Sequence, residues 1–125
     1  MELPSELRYT KDHEWVSIEG NHAKVGITDY AQDALGDIVF VQLPTLDGSV
    51  SAGESFAEVE STKSVSDIYA PVPGRVIEIN SELVDSPELL NTSPYERGWI
   101  CVLEMSDPAA AGELLTADSY LGLIS

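Results

Sequence analysis

The β-forming runs of this chain are all short. Each is cut off by proline, glycine or a turn dipeptide, a pattern that suits packed antiparallel sheets and excludes long helices. Residues 14–19 alternate, Gly20-Asn21 is a two-residue turn signal, and residues 22–27 alternate back, the mark of a hairpin. The strongest strand signal is residues 37–43, where Ile38, Val39, Phe40 and Val41 combine branched and aromatic side chains; Pro44 and the Leu46-Asp47-Gly48 turn end it.

Residues 55–60 place Ala57 and Val59 on one face and Glu58 and Glu60 on the other. Residues 66–70 alternate again up to the Pro71-Val72-Pro73-Gly74 break. Residues 75–80 form the next strand with Ile77 and Ile79 on one face, and residues 99–105 the last. Helices are expected in few places. Thr28 or Asp29 caps one that Gly36 stops, a single turn fits residues 87–90, Asp107-Pro108 starts another, and residues 116–121 close the chain. Residues 1–12 read as a lead-in segment. About seven strands with helices pushed to one connection and the C-terminus predict a mainly β protein of packed antiparallel sheets or a flattened barrel. The 125 residues read most simply as one domain.

Charge narrows the partners. There are 22 acidic residues against six basic ones, a net of −16. Nucleic acid and anionic membrane surfaces need Lys/Arg patches that this chain lacks; the acidic surface either keeps the protein dispersed or steers it toward partners with basic docking surfaces, and composition does not separate the two. No apolar run approaches the ~18 residues of a membrane span. The N-terminal residues have neither the apolar stretch of a secretory signal nor the basic character of a transit peptide, so a cytoplasmic location is expected. The one cysteine, Cys101, lies in an apolar run and is expected to be a buried thiol with no disulfide partner.

Enzyme motifs do not hold up. The glycines of Gly48-Ser-Val-Ser-Ala-Gly53 are spaced like those opening a phosphate loop, but Glu54 follows where lysine is needed, and a carboxylate there repels phosphate. His13 and His22 belong to no metal-ligand pattern. Glu58 and Glu60 point the same way from one strand face, whereas an acid–base pair must converge on a bond from opposite sides. They read as a solvated face.

The remaining candidate is Lys63, one of three lysines with Lys11 and Lys24. It lies in Glu58-Val59-Glu60-Ser61-Thr62-Lys63-Ser64-Val65-Ser66-Asp67-Ile68-Tyr69-Ala70-Pro71, between two alternating runs that can pair as a hairpin. Its neighbours Ser61, Thr62 and Ser64 are small and hydroxylated, so nothing bulky shields it. An amine acting as a nucleophile needs a desolvated pocket, which a hydrophilic tip does not offer. On these grounds Lys63 is a modified or an exposed lysine.

A resemblance narrows this further. The stretch from Val59 to Pro71 is similar to the lysine-bearing motif of the glycine cleavage H-protein family, a group of lipoyl carriers. Tyr9-Thr10-Lys11-Asp12-His13-Glu14-Trp15-Val16 resembles the family's opening, and Val25-Gly26-Ile27-Thr28-Asp29-Tyr30-Ala31-Gln32 with Leu35-Gly36-Asp37-Ile38-Val39-Phe40-Val41 its first helix and central strand. Pro87-Glu88-Leu89-Leu90-Asn91 and Ser93-Pro94-Tyr95-Glu96-Arg97-Gly98-Trp99 resemble its second half. The similarity spans roughly residues 7–121, with several motifs in order and spacing.

The resemblance implies a barrel-sandwich hybrid of the lipoyl/biotinyl type over residues 1–125, with N- and C-terminal extensions and short helices, and lipoic acid in amide linkage to Lys63. It implies a carrier rather than a catalyst: the lipoyl arm takes an aminomethyl group from the pyridoxal-phosphate glycine decarboxylase (P protein) to the tetrahydrofolate-dependent aminomethyltransferase (T protein). Dihydrolipoyl dehydrogenase (L protein) then reoxidises the arm, and lipoyl-attaching enzymes install it. A monomer is expected. Glu14 and Asp67 match positions that contact the charged aminomethyl end in a surface cleft, and Asp12 a third position of variable residue type. Carboxylates suit that task, since they hold a cationic amine.

Departures from the family are Pro73, where serine is usual, and Cys101, where an aliphatic or charged residue is commoner. Three other readings stay open beside the glycine cleavage carrier: an H-like lipoyl relay serving protein lipoylation, a biotinyl carrier and an unmodified acidic interaction protein. The biotinyl reading is weakened by Thr62 and Ser64, which stand where that family places methionines.

Overall fold

The computed structural model describes all of residues 1–125. Nine strands alternate with short helices: β1 (Arg8–Tyr9), β2 (Glu14–Glu19), β3 (His22–Ile27), α1 (Asp29–Leu35), β4 (Ile38–Gln42), β5 (Ser49–Val50), β6 (Ser55–Ser61), β7 (Val65–Tyr69), β8 (Gly74–Ile79), α2 (Glu82–Asp85), α3 (Leu89–Thr92), β9 (Cys101–Met105), a 3-10 segment (Pro108–Glu113) and α4 (Ala117–Ile124). A six-stranded antiparallel sheet runs β1-β2-β3-β9-β8-β5, and a three-stranded antiparallel sheet runs β4-β6-β7.

The expected hairpin forms between β2 and β3, with Glu19 opposite His22 across the Gly20-Asn21 turn. Thr28 caps α1, its hydroxyl accepting from Ala31 N–H at 3.1 Å, and Gly36 ends the helix. Two strands exceed the expected seven. Both β1 and β5 are two residues long, too brief for a period to show in sequence. The helix expected at Asp107-Pro108 is a 3-10 segment, still opened by the Asp107 carboxylate accepting from Ala109 N–H.

The face assignment in β8 needs correction. A bulge between Val76 and Glu78 resets the alternation, so Val76 and Ile79, rather than Ile77 and Ile79, pack against the core. One extra residue in a strand flips every later side chain to the other face.

The core lies between the sheets. Val16, Val25 and Leu103 from the larger sheet meet Val41, Val59 and Ile68 from the smaller, within a cluster of 18 buried residues. A second cluster of Leu7, Tyr9, Trp15 and Tyr120 holds both chain ends against the larger sheet. Trp15 lies opposite Gly26, where an added Cβ would come within 2.5 Å of the indole, so only glycine lets the ring lie flat there. Its indole N–H donates to Pro94 O at 2.8 Å, and Tyr9 stacks on Tyr120 with centroids 5.0 Å apart. Buried aromatics of this size remove on the order of 150–250 Å² each from water, which is why three of them suffice to pin the ends.

Candidate functional site: the Lys63 tip and the Glu14 cleft

Lys63 stands at the turn joining β6 to β7. The alternation that buries Ala57 and Val59 also buries Ser61, which is 5% exposed. Its hydroxyl accepts from the N–H groups of Lys63 (3.1 Å) and Ser64 (3.0 Å) and donates to Ser64 O (3.2 Å), while its own N–H donates to Ser64 O at 2.8 Å. Thr62 N–H donates to Asp37 O at 3.1 Å, bolting the tip to the segment before β4. The backbone of the tip is therefore held from both sides.

The Lys63 side chain is not held. It is exposed, and the ion pairs of the molecule are Arg75–Asp47, Arg75–Glu104 and Arg97–Glu82, none of which involves Lys63. Its methylene stem crosses Gly36, where an added Cβ would lie 3.0 Å from Lys63 Cε. A fixed backbone with an uncommitted amine suits acylation, because no partner must be displaced. These residues fit a lipoyl group joined to Lys63 Nζ.

Glu14 is the opposite case. It opens β2 on the face of Val16 and is 1% exposed. Its Oε1 accepts from the Thr10 hydroxyl at 2.6 Å and its Oε2 from Tyr69 N–H at 3.2 Å, so it ties the larger sheet to the end of β7. Burial pushes its carboxyl up from the ordinary range to about 7, against the pull of the Thr10 and Tyr69 donors; Asp12 adds to the rise and Lys11 opposes it. Burial therefore favours the protonated carboxyl.

Glu14 lines a cleft of about 330 Å³ together with Asp12, Lys11, Tyr69, Ala70, Glu113 and Leu114. A larger open groove of about 410 Å³, bounded by Gln42, Glu54 and Glu58, contains neither Lys63 nor Glu14. The structure thus brings Glu14 and Asp12 together in one cleft. Asp67 does not line it. Asp67 is exposed, pairs in register with Glu58 and accepts from the Ser55 hydroxyl at 3.1 Å. Successive outward positions of β7 are Val65, Asp67 and Tyr69, so Asp67 stands between the lysine tip and the cleft.

The remaining candidates take structural places. Cys101 is fully buried, and burial pushes its thiol up to about 12. His13 hydrogen-bonds through Nδ1 to Tyr120 OH at 2.8 Å, which also bonds Thr28 Oγ1 at 2.9 Å.

The sequence profile of the family described as Glycine cleavage H-protein matches residues 7–125. The chain belongs to this family. Relatives named Glycine cleavage system H protein from Staphylococcus haemolyticus and Staphylococcus epidermidis are each 54% identical over 124 residues, covering 99% of this chain and 98% of theirs. The crystal structure of a glycine cleavage system H protein from Mycobacterium marinum superimposes with a TM-score of 0.87 at 49% identity, covering 95% of this chain and 96% of that one. The fold is accordingly the barrel-sandwich hybrid, and the family is one of lipoyl carriers within a multienzyme system. No helix is long and apolar enough to cross a membrane.

Residue patterns alone pointed to Lys63 but passed over Ser61, Tyr69 and Glu113. For Ser61 a signal existed, since serine opening a tight turn commonly bonds the amides two and three residues on. For Tyr69 there was none, because its contribution to the Glu14 site is a backbone N–H.

Proposed function

We propose that this protein is the lipoylated carrier of the glycine cleavage system. Lipoyl-Lys63 would move the aminomethyl group of glycine from the P protein to the T protein, with the L protein restoring the oxidised arm. The observation that carries this reading is a lysine with a clamped backbone and a free amine at a hairpin tip. The lipoyl group, when attached, supplies a disulfide that opens reductively to take up cargo.

The chain's own residues would do the rest. Ser61 and Asp37 hold the tip where lipoyl-attaching enzymes and the system's own enzymes can grip it. Glu14 and Asp12 offer carboxylate character to a cationic amine in a site partly closed to water, and Asp67 supplies a further carboxylate on the way there. Acylation removes the Lys63 charge and leaves the molecule one unit more negative, which suits enzymes with basic docking surfaces. Residues 1–125 would act as a single lipoyl-type unit.

The test is intact mass after incubation with lipoate, ATP and a lipoyl ligase, followed by glycine–bicarbonate exchange with the P protein. A lipoyl mass gain on Lys63 together with exchange activity is expected. No mass gain overturns the carrier reading. Mass gain without exchange favours a lipoyl relay serving other proteins.

A further inference from the structure

Gly36 adopts φ 84° and ψ −156°, a conformation open to glycine and costly for other residues. Glycine permits such a backbone but does not enforce it, since it is also free to adopt many others. Yet this segment carries the Lys63 tip: Gly36 underlies the lysine stem, and Asp37 O receives Thr62 N–H. Something outside the segment must hold it still.

That group is Asn91. Its Oδ1 accepts from Ile38 N–H at 2.9 Å, and its Nδ2 donates to Gly36 O at 2.9 Å and to Gln32 Oε1 at 3.0 Å. The three partners bracket residues 32–38 from the last turn of α1 to the start of β4. Gln32 is fixed in turn, its Nε2 donating to Asp29 Oδ1 at 2.7 Å. Asn91 itself rides on α3, which is anchored by the buried side chains of Leu89 and Leu90 in the main core. Both polar ends of one amide are used, and no shorter or singly polar side chain at this position reproduces the set.

We propose that Asn91 is the positioning residue for Lys63: it transmits the rigidity of the core through residues 36–38 to the lysine tip and so sets how often that tip stands in the form a lipoyl-attaching enzyme accepts. The proposal rests on the carrier reading above for the identity of the modification, and on the hydrogen bonds alone for the mechanics. It makes Asn91 matter to an event on a different element, the hairpin turn, to which it makes no hydrogen bond of its own.

The test uses the full chain in its unmodified form. In Asn91→Ala, hydrogen exchange at the Thr62 amide should speed up about tenfold, the loss expected when the support of a hydrogen-bonded segment is removed. The Ile100 amide, which donates to Val25 O on the far side of the core, should keep its protection. In ligase-catalysed lipoylation with lipoate and ATP, KM for the variant should rise several-fold with kcat nearly unchanged, because a smaller competent fraction weakens apparent binding in proportion. A residue that merely adds stability would leave both Thr62 exchange and KM unchanged well below the melting temperature.

Gln32→Ala, which leaves the bonds to Gly36 and Ile38 in place, should show a smaller shift in the same direction. If Asn91→Ala does not fold, Asn91→Asp carries the same test, since it keeps an acceptor for Ile38 N–H and loses both donated bonds. Unchanged Thr62 exchange or unchanged KM in the folded variant overturns the proposal. Absence of lipoylation in the unaltered protein overturns the carrier reading instead, and the exchange measurement then still decides whether Asn91 positions the tip.

Discussion

Lys63 and Glu14 are both charged residues on or beside strands, and the fold treats them in opposite ways. At Lys63 the backbone is fixed by Ser61 and Asp37 while the side chain is left without an ionic partner. At Glu14 both carboxylate oxygens are engaged and the whole side chain is out of water. Attachment chemistry needs a reachable amine at a predictable place, which a clamped turn supplies. Holding a carboxyl above its ordinary range needs its charged form to be made costly, which burial supplies at Glu14. One site is built by holding the main chain, the other by holding the side chain.

The sharpest way to break this contrast is at the lysine. Lys63→Arg should abolish the lipoyl mass gain completely while changing stability by less than about 0.5 kcal/mol, as expected for an exposed, unpaired side chain. Residual modification elsewhere on the chain, seen by peptide mapping, would remove Lys63 from its central position.

The next largest effect concerns Glu14. Its native carboxyl titrates at about 7 against an ordinary value of 4.5, so the native state binds more protons than the unfolded chain in between. The associated stability is fully present below 4.5 and is lost as pH rises through about 7, a contribution on the order of 3 kcal/mol. Glu14→Gln should flatten urea-unfolding stability across this window. A decline of the same size in the variant would assign the pH dependence to other groups.

Ser61→Ala tests the tip from the other side. Losing the acceptor for two amides should cost about 1–2 kcal/mol and slow ligase-catalysed attachment, read by thermal denaturation and by initial rates. Normal rates would mean that the Asp37 contact alone presents the lysine.

Asp67→Asn is the smallest change. With Asp67 exposed and outside the cleft, stability should stay within about 0.5 kcal/mol and attachment should be unaffected. Any loss should show only in exchange activity with the P protein. A strong defect in attachment would instead make Asp67 part of the surface that lipoyl-attaching enzymes grip.

Much of the architecture was legible before the structure. The β2–β3 hairpin, the Thr28 cap, the Gly36 stop and the outward face of Glu58 and Glu60 all follow from side-chain period and turn chemistry, which act between near neighbours. The burial of Glu14 was not legible, since residues on both faces of β2 are buried at its start and Ile18, on the same face as Glu14, is exposed. Nor was the bulge at Ile77, because an extra residue looks the same in sequence whether or not its partner strand accommodates it.

The sequence by itself determined that short antiparallel strands would bracket an accessible lysine and, through family resemblance, which family the chain belongs to. The tertiary structure decided which side chains share a site. It set Glu14 beside a backbone N–H of Tyr69, left Asp67 outside the cleft, and ran the support of Lys63 through Asn91. Period records which face a residue occupies, whereas the partner across that face is chosen by packing between strands and helices far apart in the chain.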